Sequence, residues 1–180
     1  MPPPLIVLKY PERDYNLIFK RINSSVLTKK AKTLLYVLVH ERIYKRERGF
    51  RIMPGRYDSP LCGRGCGLIE TSTHKYATCV WVSSAWQKVL DYIFAMEPTL
   101  VFESSQDILN LNFSVTQRDN AILWLIGHYL EFIEEHSVIE NNRVFSLQIM
   151  GLLSGKLMEC KYKAMPDIGI IPGLSPSGIG

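Results

Sequence analysis

The stretch Cys62–Cys79, CGRGCGLIETSTHKYATC, has neither helical nor strand periodicity, and the rest of the chain is read outward from it. It holds three of the chain's four cysteines, with His74 among them, spaced Cys62-x3-Cys66-x7-His74-x4-Cys79. Zinc takes four soft or borderline ligands in a tetrahedron. Two cysteines separated by two to four residues both reach one ion when glycines let the backbone fold around it. Gly63, Gly65 and Gly67 interleave with the first two cysteines, and His74 with Cys79 supplies the other half. With four positions filled there is no place for a catalytic water. The spacing therefore predicts one structural Zn2+ held by Cys62, Cys66, His74 and Cys79, in a CCHC-type knuckle over residues 58–82. The alternative is three buried free thiols and an unconnected histidine.

On either side the periodicity is helical. Val26 to Tyr44 reads as a helix with Leu34, Leu35, Val37 and Leu38 as its apolar stripe, and Arg46 to Ile52 as a second, stopped by Pro54-Gly55. After the cysteines, Ser83 or Ser84 caps a helix through Met96 that carries Trp86, Val89, Leu90 and Ile93. Residues 99–114 read as a short strand or a loop. Thr116 with Asp119 opens a long helix to about Glu135, and Asn142 to about Lys161 reads as a last one. Prolines 2, 3, 4 and 11 make residues 1–18 an extended N-terminal segment. Four glycines and three prolines in residues 166–180 predict a disordered tail. The expected fold is mainly α: one helical domain, residues 19–165, with the zinc knuckle inserted. Its core is expected around Leu34, Leu35, Leu38, Trp86, Leu90, Ile93, Trp124, Ile126, Leu130, Phe145, Met150 and Leu153.

Composition narrows the function classes. The chain has 180 residues, of which 47% are apolar, too many for a disordered protein. The best apolar run, Ala121 to Gly127, lies between Asp119 and His128 and is too short to span a bilayer. The N-terminal residues lack a signal-peptide pattern, so an intracellular location, in cytoplasm or nucleus, is expected. The net charge of +4 hides an asymmetry. Residues 19–64 carry twelve basic and three acidic groups, and residues 65–180 seven and twelve. A block this basic beside a cysteine cluster predicts contact with a polyanion, RNA or DNA, through phosphates and without sequence preference. The candidate residues are Lys29, Lys30, Lys32, Arg42, Lys45, Arg46, Arg48, Arg51 and Arg64, with Trp81 as the best aromatic to stack on a base. The competing reading is a solvated face on a protein-interaction domain. Lys29, Lys30 and Lys32 sit at the helix end that disfavours cations, which hints at another purpose for them.

No catalytic residue is predicted. His40, His128 and His136 fall on helices without a nucleophile in a recognisable motif, Glu134-Glu135 reads as a solvated pair, and Cys160 as a spare thiol.

The segment Lys29–Ile93 resembles the zinc-binding region downstream of the polymerase domain in reverse transcriptases of non-LTR, LINE-like retrotransposons. The likeness rests on Leu38-Val39-His40-Glu41-Arg42, on Tyr44-Lys45-Arg46-Glu47-Arg48, on Cys66-Gly67, Glu70-Thr71, His74 and Cys79, and on Trp86. It covers about a third of the chain. The family spaces its first two cysteines by two residues, whereas three separate Cys62 from Cys66; Gly63 and Gly65 can absorb the insertion through positive φ. The resemblance implies zinc ligation by the same four residues and binding of RNA template or target DNA. Polymerase activity is not expected: no Asp-Asp pair occurs to hold two metal ions for phosphoryl transfer. On this reading the chain is a retroelement piece, or a vestigial or host-recruited domain that binds zinc structurally but not nucleic acid.

Overall fold

A computed structural model describes residues 12–40, 46–102, 104–136 and six more: 147, 148, 151, 152, 154 and 155. The architecture is mainly helical. In chain order come α1 (Tyr15–Ile22), α2 (Lys29–Val39), α3 (Arg46–Ile52), a π-helical turn (His74–Thr78), α4 (Ser83–Met96), α5 (Ser105–Leu109) and α6 (Asp119–Glu135). Among the described residues there is no strand, only one isolated antiparallel bridge, Leu61 with Ile69.

The core is built around α6. Its residues Ala121–Gly127 are all buried, as are Tyr129, Leu130, Phe132 and Ile133, so the helix is apolar on nearly every face and must be enclosed. α2 lies along one side of it and α4 along another. Gly127 allows the close approach of α2: a Cβ there would sit 2.7 Å from Leu27 Cδ2 and 3.2 Å from the Ala31 Cβ. Gly127→Val is expected to overpack this crossing and cost about 1–3 kcal/mol, read as a lower urea midpoint.

Several expectations from the sequence are corrected. Residues 15–22 are helical, although residues 1–18 read as extended. Asp14 caps α1 by accepting from Leu17 N at 3.0 Å, and Ile18 and Ile22 bury one face. α2 starts at Lys29 because Thr28 is its cap, with Thr28 Oγ1 accepting from Ala31 N at 3.0 Å. The lysines in its first turn are offset from across the core. Glu131 of α6 accepts from Ala31 N and from the Thr28 hydroxyl, and Glu135 pairs with Lys30 at 2.7 Å. Neither Ser83 nor Ser84 caps α4; the Cys79 carbonyl accepts from Val82 N and Ser83 N instead. Within residues 99–114, read as a strand or loop, Ser104 and Asp107 form a capping box that opens α5. The reading of helix over 142–161, with Phe145, Met150 and Leu153, and the tail 166–180 fall outside the described residues or nearly so. Of the other expected core residues, Leu34 is half-buried and the rest are buried.

Arg21 lies inside the basic block, yet it is a core residue, 2% exposed. Its Nε and Nη2 form a two-point pair with Asp119 at 2.8 and 3.0 Å. Nη1 donates to the Leu111 and Phe113 carbonyls, Nη2 also to that of Ser114, and the guanidinium lies 3.7 Å from the Phe113 ring centroid. All five donors of the fork are thus engaged. Leu111 holds φ +59°, a left-handed conformation unusual for a leucine, while its carbonyl meets Arg21.

Candidate metal centre and its surroundings

The chain brings Cys62 and Cys66 together by folding back on itself. Leu61 and Ile69 face each other across the antiparallel bridge, Cys62 N donates to Leu68 O at 2.7 Å, and Glu70 N donates to Pro60 O at 3.0 Å. Between the cysteines Gly65 N donates to Cys62 O at 3.0 Å. The positive φ falls on Gly65 (+75°) and Gly67 (+81°). Gly63, expected to share this role, instead permits a close approach: a Cβ on it would lie 2.9 Å from Arg46 Nε.

The second half of the site comes from a different local device. Thr71 Oγ1 accepts from His74 N at 3.0 Å and starts a helical turn, which then widens to π geometry over His74–Thr78. The widened turn closes with a hydrogen bond from Cys79 N to His74 O at 2.9 Å, spanning the two ligands of the His-x4-Cys pair. One inserted residue in a helical turn re-aims side chains, and such π turns are frequent at functional sites.

The four ligand atoms converge within 4.8 Å of one another. Cys62 Sγ and Cys79 Sγ are 3.8 Å apart, and Cys66 Sγ lies 3.1 Å from His74 Nε2. A tetrahedral zinc with Zn–S bonds of about 2.3 Å spaces two sulfurs by about 3.8 Å, the separation found here. A sulfur and an imidazole nitrogen on that ion stand about 3.6 Å apart, so the second pair would open by a few tenths of an ångström. Cys62, His74 and Cys79 are buried and Cys66 half-buried. Burial pushes the Cys62 thiol up to about 12 in the metal-free chain. Burial also lowers the His74 pKa, against the opposing charge of Glu70 and with Arg64 adding to the effect, which favours the neutral imidazole that ligates a metal. At Cys66 burial is outweighed by hydrogen bonds from the Leu68 backbone and the neighbouring thiols, and its pKa falls. Three thiols and one imidazole, with no fifth protein group required, make a donor set suited to a closed zinc site.

The turn that carries His74 is tied to α6 by residues to which the sequence assigned no such role. The Tyr76 hydroxyl donates to Glu134, Lys75 pairs with the same carboxylate, and the Tyr129 hydroxyl donates to the Tyr76 carbonyl. Trp86 packs on Tyr129 with ring centroids 5.1 Å apart, joining α4 to this contact. Glu134 is therefore a partly buried partner and not half of a solvated pair, while Glu135 is exposed and bound to Lys30. Burial pushes the Glu134 pKa up, but Lys75 and Tyr76 outweigh it and hold it below the ordinary 4.5. A depressed carboxylate stabilises the fold at pH above its unfolded value, and that stability is lost as pH falls through the folded pKa. Tyr76→Phe is expected to cost about 1–2 kcal/mol at pH 7 and to shrink the acid-dependent part of the stability, measured by urea unfolding between pH 7 and pH 3.

The other singled-out residues fare differently. Lys29 and Arg51 are exposed, Arg46 and Arg48 half-buried. Lys30 is engaged with Glu135, and Lys32 donates to Asn23 O at 3.3 Å. Arg64 donates from Nη1 to the Lys75 carbonyl at 2.9 Å, and its Nε is buried without a partner. Trp81 is half-buried against the core with its Nε1 also buried and unpartnered, a poor platform for a base. Arg42 and Lys45 lie outside the described residues. Among the histidines read as ordinary, His128 packs edge-on to Trp124 at 4.3 Å and His136 stacks on Phe132 at 4.1 Å.

Among the described residues no helix is long and apolar enough to cross a membrane. Compared with protein-family models, curated proteins and solved structures, the chain matches none.

Proposed function

We propose that this chain is a zinc-stabilised helical module that binds nucleic acid through phosphate contacts and has no polymerase activity of its own. The observation that carries the metal half is the convergence of Cys62, Cys66, His74 and Cys79, with a 3.8 Å sulfur–sulfur edge matching tetrahedral zinc. On this reading residues 58–82 form a zinc knuckle whose ion is structural. The nucleic-acid half is supported by Arg46, Arg48 and Arg51 on α3, beside the metal loop, and by the residue pattern shared with the zinc-binding region of retroelement reverse transcriptases. Arg21, Lys30, Lys32 and Arg64 contribute less than their charge suggests, because each already has a partner within the fold.

A salt titration on single-stranded RNA and duplex DNA tests the nucleic-acid half. The variant Lys45→Gln, Arg46→Gln, Arg48→Gln, Arg51→Gln is expected to flatten the log–log salt slope on single strands. The slope should fall by about 0.7 for each phosphate that the variant no longer neutralises. Affinity of the parent at physiological salt is expected at micromolar or weaker, the range of non-specific binding. Equal binding and equal slope in parent and variant would shift the conclusion to a protein-interaction module. One observation favours that second reading: Leu61, Leu68 and Ile69, on the metal loop, are 42%, 60% and 52% exposed.

A further inference from the structure

α3 has little of its own to hold it. It is seven residues long, Gly49 is its one buried residue, and Phe50 and Ile52 face solvent at 38% and 52% exposure. A helix this short does not persist in water on propensity, and it buries no apolar side chain to compensate. Polar and backbone attachments therefore matter more than packing in holding it. The Tyr57 ring lies over Gly49, so close that a Cβ would fall 2.4 Å from the ring edge. Three further contacts lead to the metal loop. Glu70 Oε1 accepts from Arg46 N, the first described residue of α3, at 3.2 Å. Glu70 Oε2 accepts from Gly63 N at 3.0 Å, one residue from Cys62. The Arg46 side chain packs against Gly63 where any Cβ would intrude.

We infer that Glu70 is the positioning residue through which the metal-held loop fixes α3, so that metal occupancy governs how rigidly Arg46, Arg48 and Arg51 are presented. The inference rests on the metal half of the proposed function and not on its nucleic-acid half. One carboxylate bridges two backbone donors that belong to different segments. It can do so only while Gly63 and Glu70 are held on facing sides of the loop, the arrangement the Leu61–Ile69 bridge and the Cys62 and Cys66 ligands define. When the metal leaves and the loop loosens, Glu70 can no longer reach both donors, and α3 loses its backbone link to the loop. Hydrogen bonds to a charged acceptor are among the stronger ones in proteins, so the loss is measurable.

The test is amide hydrogen exchange read segment by segment on three samples: zinc-loaded parent, chelated parent and zinc-loaded Glu70→Gln. Native mass spectrometry reports the metal content of each. The amide of the variant can still accept one of the two bonds but presents a donor to the other backbone N–H. Exchange across residues 46–52 is expected to quicken by about tenfold in both the chelated parent and the zinc-loaded variant, while α2 and α6 keep their protection. Chelating the variant should then change α3 little further, because the link is already cut; a merely structural role would give additive losses. A zinc-loaded parent whose α3 exchange is unmoved by chelation, or a zinc-loaded variant with parental α3 protection, would overturn the inference and leave the metal reading intact. A freshly purified, reduced parent without metal would overturn the metal reading and the inference together.

Discussion

Replacing His74 with alanine is expected to abolish the single equivalent of zinc and to lower the melting temperature by about 8–16 °C. The magnitude follows from linkage. A ligand held at a thousand times its dissociation constant stabilises the folded state by about 4 kcal/mol, and each kcal/mol shifts the midpoint of a domain this size by about 2–4 °C. Structural zinc sites reach and exceed that saturation readily at neutral pH. The loss should concentrate in residues 58–82, where the ion no longer ties the Cys62–Cys66 half of the loop to the His74–Cys79 turn. Cys66→Ser should release the metal likewise. The Cys62 thiol, pushed up to about 12 by burial, is protonated at neutral pH in the metal-free chain. Zinc must displace that proton, so metal affinity falls as pH is lowered. Without metal, the folded state holds the Cys62 proton more tightly than the unfolded state does. That contribution is lost as pH rises above the ordinary thiol value of 9.0, while the lowered pKa of Cys66 acts in the opposite sense. Calorimetry of loaded and chelated protein between pH 5 and pH 8 checks the zinc contribution, which should shrink as pH falls; parallel curves would contradict it.

Arg21→Met is expected to cost about 3–5 kcal/mol, the penalty for breaking a buried, fully bonded charge pair by removing one partner. The variant leaves Asp119 as an uncompensated carboxylate and strips three carbonyls, Leu111, Phe113 and Ser114, of their donor. Leu111 would keep its left-handed φ with less to hold it there. Arg21→Lys should recover only part of the loss, because an ammonium cannot meet a carboxylate in two places and three carbonyls at once. Urea unfolding followed by tryptophan fluorescence gives the comparison. A lysine variant as stable as the parent would show that charge alone, and not the fork, is what the site uses.

Arg21 also marks where the sequence was hard to read. Among twelve basic residues in the block 19–64 nothing local distinguishes it, and its acceptors lie some ninety residues away. Glu134 is a parallel case, since its partners Lys75 and Tyr76 are 58 or so positions distant. Elements whose causes are local were legible. α3 and the C-terminal ends of α4 and α6 follow from periodicity and from Pro54 and Pro98, and the candidate metal ligands from spacing and glycine content. α1 had a local signal that the upstream prolines obscured: Asp14 as cap, with Ile18 and Ile22 four residues apart. The lysines at the start of α2 pointed toward an outside partner because the cost to the helix was visible, whereas the acids that offset it sit on α6. What separates the two groups is sequence distance: interactions within about one turn leave a pattern, and interactions across the core do not.

The placement of those acids has a consequence for how the chain is made. α2 takes its N-terminal acceptor from Glu131, its packing surface from the face containing Gly127, and α1 takes its Arg21 acceptors from residues 111–119. On the ribosome, residues 15–39 therefore emerge about a hundred residues before the segment that completes them. At about 5–20 residues per second this is a wait of about 5–20 s. During that interval Ile18, Ile22, Leu35 and Leu38, all buried in the finished fold, have only the contact between α1 and α2 and lack the α6 surface that encloses them. The N-terminal half therefore stays incomplete until α6 emerges, and substitutions in α6 are expected to be felt first as lower yield of the nascent chain.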